Sequence, residues 1–391
     1  SNKSKIYEKS SRKLYIRTFG CQMNVRDSEV IAGLLIKEGY RLTDNEGEAD
    51  IVIFNTCSVR QHAEDKVWSA AGRLNRRAAG DSNRKSRPII GICGCMANCY
   101  REDIFRRAPN IDFAVGTRDI ARIPDILRNL TEGGGFFEKK IYELNGKLRE
   151  NEIYHTGFHL DRHHAFVVIS EGCENFCSYC VVPYTRGELT HRESGDIIEE
   201  IEENIKAGIV RITLLGQNVN QWRGSGGEVT FPDLLRQVNK IKGLKGFSFI
   251  TSHPKDAGTD LFYAMRDCAK LKKYLHLPLQ SASNRILRLM NRGYTKEHYL
   301  DIISQYRKIV PGGELTTDII VGFPSETESD FQQTYEALKN IRFDKAYIFK
   351  YSPRPHTKAS ELRDDVPQSE KERRHRIILE LQKEISRSRR K

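Results

Sequence analysis

The chain reads as an α/β protein in two parts. An N-terminal open parallel sheet carries helices on its faces, and a partial (β/α)6 barrel follows. Three observations predict this. Short apolar, β-rich runs alternate with helical patterns along almost the whole chain, as parallel sheets require. The rhythm breaks once, between residues 131 and 160. And 391 residues are too many for one compact core, so two or three domains are expected. The boundaries follow as 12–130 for the first domain, 131–160 for a linker and 161–391 for the barrel.

In the first domain the candidate strands are "KLYIRTFGC", "ADIVIFNTC", "RPIIGICGC" and "NIDFAVG". Between them lie the helical patterns "DSEVIAGLLIKEGY", "AEDKVWSAAGRLNRR" and "YREDIFRRA". Three of the four strand runs end in a cysteine: Cys21, Cys57 and Cys95. Ligands of an open α/β sheet bind beyond the carboxyl ends of its strands, so the three would converge on one edge. A free cysteine is often simply a small buried hydrophobe. Three at equivalent positions point instead to a three-thiolate ligand set. Cys93 sits two residues before Cys95, and Cys99 four after it. Spacing leaves both as rival ligands. Cys268 lies in a helical pattern and reads as structural.

The linker, "TEGGGFFEKKIYELNGKLRENEIYHTGFHL", is marked by its glycine run and its charge, with room for a short hairpin. "AAGDSNRKSR", residues 78–87, reads as a polar surface loop. From residue 165 the alternation resumes with "AFVVIS", "RITLLG", "FSFITS", "KYLHLPL", "LTTDIIVGF" and "KAYIFKY". Helical stretches separate these six strands. Six units suggest a barrel open on one side, with its chemistry at the C-terminal ends of the strands. The last segment is a basic helix whose Ile377, Ile378, Leu381 and Ile385 have helical spacing and should dock on the barrel.

Composition narrows the function classes. Apolar content is 38% and charged content 30%, and no apolar run approaches the eighteen or so residues of a membrane span. The first residues are polar and basic, without the apolar region of a secretory signal. A cytoplasmic protein is the expectation. Lys plus Arg exceeds Asp plus Glu by twelve. That excess fits either a solvated basic surface or a polyanion partner such as nucleic acid. Nine cysteines, an odd number without an export signal, argue for metal or cluster ligation over disulfides.

The stretch "EGCENFCSYCVVPY" holds Cys173, Cys177 and Cys180. A closed zinc site or an ordinary cubane takes four thiolates. Three can hold three irons of a 4Fe–4S cube and leave the fourth iron open. S-adenosylmethionine can chelate that iron through its amino and carboxylate groups. One electron from the cluster then cleaves the sulfonium and releases a 5′-deoxyadenosyl radical, the protein supplying binding, orientation and dryness. Such a cleavage demands a cluster potential near the low end of the range of roughly −700 to +450 mV.

"CENFCSYC" resembles the signature of the radical S-adenosylmethionine superfamily, in which the position of Tyr179 is aromatic. The resemblance goes further. "GCQMNVRDSE", "NTCSVR", "GCMA", "EGCENFCSYCVVPYTRGE", "TLLGQNVN", "TSHP", "TTDIIVGFPSETESDF" and "FKYSPRPHTKAS" together resemble the methylthiotransferases, and within them the MiaB type that acts on tRNA. The match runs from about residue 13 to the end of the chain.

The resemblance implies two 4Fe–4S clusters. Cys173, Cys177 and Cys180 correspond to the radical-generating one. Cys21, Cys57 and Cys95 correspond to an auxiliary one linked to the sulfur, with Cys95 chosen over Cys93 and Cys99 because it is the cysteine of "GCMA". Two S-adenosylmethionine molecules are used per turnover. One methylates a sulfur on the auxiliary cluster, and the other makes the radical that takes hydrogen from C2 of an N6-isopentenyladenosine beside the anticodon. The implied partners are the tRNA anticodon stem-loop and an electron donor such as flavodoxin or ferredoxin, with a monomer expected. RNA is read most specifically at unpaired loop bases, which fits this picture.

Position adds further candidates around the barrel mouth, where S-adenosylmethionine must lie. These are Gln217, Asn218, Ser252, His253, Gln280, Thr317 and Asp318, with Tyr179 from the signature and with Ser281 and Gly322 nearby. Arg186 and Arg192 follow the cluster loop and could hold phosphate or carboxylate. The sequence departs from the family in three ways. It stops about where a small RNA-binding TRAM domain would begin, so that domain is expected to be absent. His356 stands where the family commonly has glycine. Cys93 and Cys99 crowd the auxiliary site. The rival readings are a RimO-like enzyme of a ribosomal-protein aspartate, the relative that modifies threonylcarbamoyladenosine in tRNA, an iron–sulfur electron carrier and a zinc-stapled RNA-binding module. "LLGQNVN" and "VVPYTRGE" favour the MiaB type.

Overall fold

The computed structural model describes residues 12–58, 61–80, 87–132, 140–144, 146 and 149–389. Most of the loop expected at 78–87, and the glycines at 133–135, lie outside these. The chain divides into two compact units. One runs to Leu160 and also takes in Tyr184–Arg186; the other is Asp161–Pro183 with Gly187 onward.

The first unit holds strands β1 (Lys13–Phe19), β2 (Arg41–Leu42), β3 (Ile51–Thr56), β4 (Ile89–Gly94), β5 (Phe113–Val115) and β6 (Ile141–Glu143). They form one sheet in the order β2-β1-β3-β4-β5-β6, parallel throughout. Its helices are α1 (Gln22–Lys37), α2 (Gln61–Gly80), α3 (Cys95–Tyr100), α4 (Asp103–Arg107) and α5 (Ile123–Glu132). Every residue of β3 and β4 is buried, as befits central strands covered on both faces.

Three expectations need correction here. β2 and β6 are added edge strands, two and three residues long, too short to show a period. β6 arises within the stretch read as a linker. It pairs in parallel with β5 rather than forming a hairpin. Further along the same stretch Ile153 and Tyr154 are buried, and Arg26 donates to the Tyr154 carbonyl at 2.7 Å. Residues up to 160 therefore belong to the first unit. Third, α1 begins at Gln22, not at Asp27. Its first turns bury Asn24, Arg26, Asp27, Ser28 and Glu29, and a polar buried face hides the apolar stripe on which periodicity depends.

The second unit carries the six expected parallel strands: β7 (His164–Val168), β10 (Arg211–Leu215), β11 (Gly246–Phe249), β12 (Tyr274–His276), β13 (Glu314–Val321) and β14 (Lys345–Lys350). They make two sheets, β11-β10-β7 and β12-β13-β14, joined by a bridge between Phe247 and Leu271. The ring is not closed. The short strands β8 (Ser170–Glu171) and β9 (Thr190–His191) pair antiparallel and tie together the two ends of the cysteine loop. Around the strands lie α6 (Val182–Arg186), α7 (Ser194–Lys206), α8 (Phe231–Lys240), α9 (Thr259–Asp267), α10 (Asn284–Leu289), α11 (Lys296–Ile309), α12 (Glu328–Ile341) and α13 (Gln368–Ser388).

Alternation along these strands sorts their side chains. Leu275, Leu277, Leu315, Ile319, Ile212 and Leu214 join the core against the helices. Their neighbours, facing the other way, form a polar layer. His164 Nε2 is 2.8 Å from Thr213 Oγ1, which is 2.9 Å from Ser248 Oγ. His276 meets Thr316 at 2.9 Å and Asp318 at 3.3 Å. Helix α13 docks as expected: Ile378, Leu381 and Ile385 enter the core and Ile377 packs against it. Among the described residues no helix is long and apolar enough to cross a membrane.

Candidate cluster and cofactor sites

All nine cysteines are free thiols. In the first unit, Cys21 caps the N-terminus of α1, Cys57 follows β3, and Cys95 is the first residue of α3. β1, β3 and β4 are adjacent in the sheet, so their ends bring the three sulfurs together. Cys57 hydrogen-bonds to both Cys21 and Cys95. Those bonds, aided by the charge of Arg186, hold Cys21 and Cys95 down to about 6. Bonding to its two neighbours pushes Cys57 up in turn. Thiols poised in this way give up protons readily to metal. Cys93 is fully buried, and desolvation drives its thiol far above the ordinary value. Of the two, Cys95 is the one that Cys57 contacts, while Cys93 lies buried as a neutral thiol.

Glycine makes the approach possible. A Cβ on Gly20 would lie 2.6 Å from Cys57 Cβ. Gly94 has φ +92°, and a Cβ there would lie 2.5 Å from the Thr56 carbonyl. Gly172, before Cys173, has φ +80°, and its Cβ would fall on the Glu188 carbonyl. The dipeptide Gly-Cys thus recurs where backbone must crowd a ligand. Gly94→Ala should cost about 1–3 kcal/mol from conformational strain alone, with the clash added. The cluster of the first unit should be lost with it, so iron content should fall by about half while iron on the cysteine loop persists.

Residues that the sequence reading missed support this edge. Asn24 Nδ2 donates to Asn55 Oδ1 at 2.9 Å and to the Thr56 carbonyl at 3.0 Å. Asn55 Nδ2 returns to the Asn24 carbonyl at 2.7 Å. The buried Asp27 carboxylate takes Arg149 at 2.7 Å and Arg186 at 2.9 Å. Burial pushes its carboxyl up, but the two guanidiniums more than offset that and leave it low. Arg186 therefore faces Asp27 and the thiols.

In the second unit, the charge of Cys177 acts on both Cys173 and Cys180. Burial pushes Cys173 up, and Cys180 up to about 12, which metal coordination would reverse. The loop is clamped from behind. Ser178 N donates to the Met290 carbonyl at 2.9 Å, Ser178 Oγ to Leu289 at 2.7 Å, and Asn291 Nδ2 to the Phe176 carbonyl at 3.0 Å. Arg292, only 4% exposed, sends Nη1 to Cys177 Sγ and to the Tyr179 hydroxyl, both at 3.3 Å. Its Nη2 reaches the Pro278 carbonyl at 2.9 Å and its Nε the Tyr294 hydroxyl at 3.0 Å. Tyr179 packs its ring on the small core of Ile286, Met290, Phe323, Tyr351 and Ala359. Nothing in the spacing of "MNRGY" announces this role beyond its buried Arg.

His253 stands with Nε2 at 4.0 Å from Cys177 Sγ. Its Nδ1 accepts from Lys255 N at 3.2 Å, which places the proton of the neutral ring on Nε2. Burial, then the nearby Arg292 charge, brings its pKa down to about 2, so it stays neutral. Among the described residues no three ligating side chains are set to close on a single ion. A cubane takes one thiolate per iron and does not ask for that.

The candidates at the strand ends divide. Gln217 Oε1, Asn218 Oδ1, Ser252 Oγ and Gln280 Oε1 are buried oxygens with no partner in the protein. Such groups are rare and want a ligand or water, so these four fit a polar cofactor. Thr251 and Gln280 sit at φ +73° and +68°, strained positions of the kind that gather at functional sites. Asp318 faces the polar layer with His276. Thr317 does not join them. It is fully buried, and its hydroxyl bonds Leu277 O at 3.0 Å and Leu279 N at 2.9 Å. Ser281 likewise turns to Thr334 at 3.4 Å. A Cβ on Gly322 would run into Lys371. Arg192 is engaged with Glu200 at 2.5 Å and the Val168 carbonyl. His356 takes φ +67°, which explains why glycine is favoured there.

Known proteins resemble this chain over almost its whole length. Residues 13–116 match the family described as "Uncharacterized protein family UPF0004", and residues 167–338 match the radical SAM superfamily. The tRNA-2-methylthio-N(6)-dimethylallyladenosine synthase of Acetivibrio thermocellus is 43% identical over 98% of this chain and 79% of its own. That of Clostridium botulinum is 44% identical over 95% and 80%. In fold alone the chain is similar to the radical S-adenosylmethionine methyltransferase TsrM from Kitasatospora setae. That match has a TM-score of 0.63 at 12% identity, covering 90% of this chain and 75% of the other. The chain belongs to the tRNA-2-methylthio-N(6)-dimethylallyladenosine synthase family of radical SAM enzymes.

Proposed function

We propose that this chain is a radical S-adenosylmethionine methylthiotransferase that places a methylthio group on C2 of N6-isopentenyladenosine beside the anticodon of tRNA. The observation that carries the reading is the pairing of two three-thiolate sets, each beyond the ends of parallel strands and each behind a Gly-Cys cradle. Cys21, Cys57 and Cys95 hold one 4Fe–4S cluster, and Cys173, Cys177 and Cys180 the other. Bound there, the clusters supply one-electron reduction of the S-adenosylmethionine sulfonium at the second set and a sulfur for transfer at the first.

The chain's own side chains bind, orient and keep dry. Gln217, Asn218, Ser252 and Gln280 offer their unpartnered oxygens to the amino and hydroxyl groups of S-adenosylmethionine. His253 and Arg292 aim N–H groups at Cys177 Sγ. Tyr179, pinned by Arg292 and by its small core, holds the loop in register. The hydrogen bonds of Cys57, helped by the Arg186 charge, favour the Cys21 and Cys95 thiolates. Asp318 and His276 present a polar wall to the interior of the strand ring. Thr317 is not in the set. The enzyme works in the cytoplasm as a monomer, with a low-potential donor such as flavodoxin or ferredoxin.

The test is direct. Anaerobically reconstituted protein, given S-adenosylmethionine, a strong reductant and an anticodon stem-loop bearing N6-isopentenyladenosine, should yield the 2-methylthio nucleoside on mass spectrometry of the digest. An unchanged nucleoside, alongside active cleavage of S-adenosylmethionine, would point to a different acceptor and end this reading.

A further inference from the structure

A cleft of about 530 Å³ opens in the second unit between the loops that follow β10 and β11. Its lining includes Asn220, Gln221, Arg223, Lys255 and Asp256. None of the cysteines, and none of Gln217, Asn218, Ser252 or Gln280, lines it. It therefore borders the cofactor candidates, with Asn218 bonded to its Asp256, but is not lined by them. Its size falls within the range of about 300–1,000 Å³ usual for small-ligand sites.

Two features of its walls point to a ligand. Asn220 is 5% exposed, yet neither its amide nitrogen nor its amide oxygen has a partner, and Gln221 Oε1 is also unpartnered. A buried amide left without partners is costly, so something should meet it. The second feature is charge. Arg223 spends Nη1 on the carbonyls of Trp222, at 2.9 Å, and Asn220, at 3.4 Å. Among the described residues neither Arg223 nor Lys255 is in an ion pair. The one carboxylate of the cleft, on Asp256, accepts from Asn218 at 2.7 Å. Two cations against one anion leave the cleft net positive.

An amide presenting donor and acceptor side by side matches the edge of a nucleobase, and Arg and Lys match its phosphate. Amide and cations in one cleft fit a nucleotide. The loops that build it continue from Gln217–Asn218 and Ser252–His253, at the end of the strands where chemistry sits in barrels. We infer that this cleft is a subsite for an RNA nucleotide neighbouring the adenosine that is modified, its base read by Asn220 and its phosphate held by Arg223 and Lys255. The inference rests on the RNA-modifying reading above.

The test uses the full reconstituted chain and a fluorescent anticodon stem-loop, titrated by anisotropy at several salt concentrations. Melting temperature and iron content serve as fold controls. Arg223→Gln with Lys255→Gln should lower affinity roughly tenfold and flatten the slope of log affinity on log salt by about 1.4, from about 0.7 per phosphate contact on single strands. Asn220→Ala should weaken binding without changing that slope. With an abasic nucleotide beside the target, wild type should bind as weakly as Asn220→Ala, and the two losses should not add. Unchanged affinity and slope in the double variant would overturn the subsite. So would a parallel loss of S-adenosylmethionine binding, which would assign the cleft to the cofactor. If wild type fails to make the 2-methylthio product while the double variant still loses RNA affinity with a flatter slope, the proposed function falls and the subsite stands.

Discussion

Protein in which Cys173, Cys177 and Cys180 are all replaced by alanine is expected to keep about four irons per chain and to release no 5′-deoxyadenosine. The mirror variant, with Cys21, Cys57 and Cys95 replaced, should also keep about four irons. It should cleave S-adenosylmethionine without transferring a methylthio group. Both follow from the separation of the ligand sets into two units, each supplying its own three thiolates. Within the first set, Cys93→Ser and Cys99→Ser should leave iron content and transfer in place. Cys93 is a fully buried neutral thiol, and the sulfur contacts run through Cys57 to Cys95. Iron counting and Mössbauer spectroscopy decide the matter. A triad variant that loses all iron, or a Cys93 variant that alone loses the cluster of the first unit, would defeat the assignment.

The second large effect is expected at Arg292. A three-thiolate cluster buried at this loop carries negative charge, and reduction adds one more. Arg292 is a buried cation in direct contact with Cys177, the proposed ligand. Arg292→Met removes that charge and its hydrogen bonds to Cys177, Tyr179, Pro278 and Tyr294, for a stability loss on the order of 1–3 kcal/mol. Hydrogen bonds to sulfur and local charge set cluster potentials. The midpoint followed by EPR in a potentiometric titration should therefore shift to lower values in Arg292→Met and much less in Arg292→Lys. Cleavage should fail first with weak reductants. A Met variant with full iron and a wild-type midpoint would show that Arg292 only packs the loop.

Much of this was legible in the sequence because strand ends are. An apolar run that stops at a cysteine locates that cysteine at the carboxyl edge of a parallel sheet, and three such runs located Cys21, Cys57 and Cys95 together. The three-cysteine loop was legible by its spacing alone. What stayed hidden has physical causes. The start of α1 was obscured because its buried face is polar, built from Asn24, Arg26, Asp27 and Ser28. β6 was obscured because a three-residue edge strand has no period. Arg292 and Asn291 act from a turn after α10, far along the chain from the loop that they hold. Thr317 shows an error that the sequence could have prevented. Adjacent strand residues point to opposite faces, so Thr317 and Asp318 could not both look into the ring.

The brief excursion of Tyr184–Arg186 has a consequence for how this protein can be cut. Four residues past Cys180, the chain leaves the second unit for three residues, and Arg186 closes on Asp27 before the chain returns at Gly187. A gene split after Leu160 would yield an N-terminal fragment with Asp27 facing Arg149 alone, and with no guanidinium from residue 186 beside its thiols. The other fragment would carry a dangling arginine. The first unit thus lacks one of its own arginines in such a split, although the backbone crosses the boundary at a point that looks like a clean joint. In a fragment ending near residue 160 the Cys21 and Cys95 thiols should therefore ionise at higher pH than in the intact chain, which thiol titration would show.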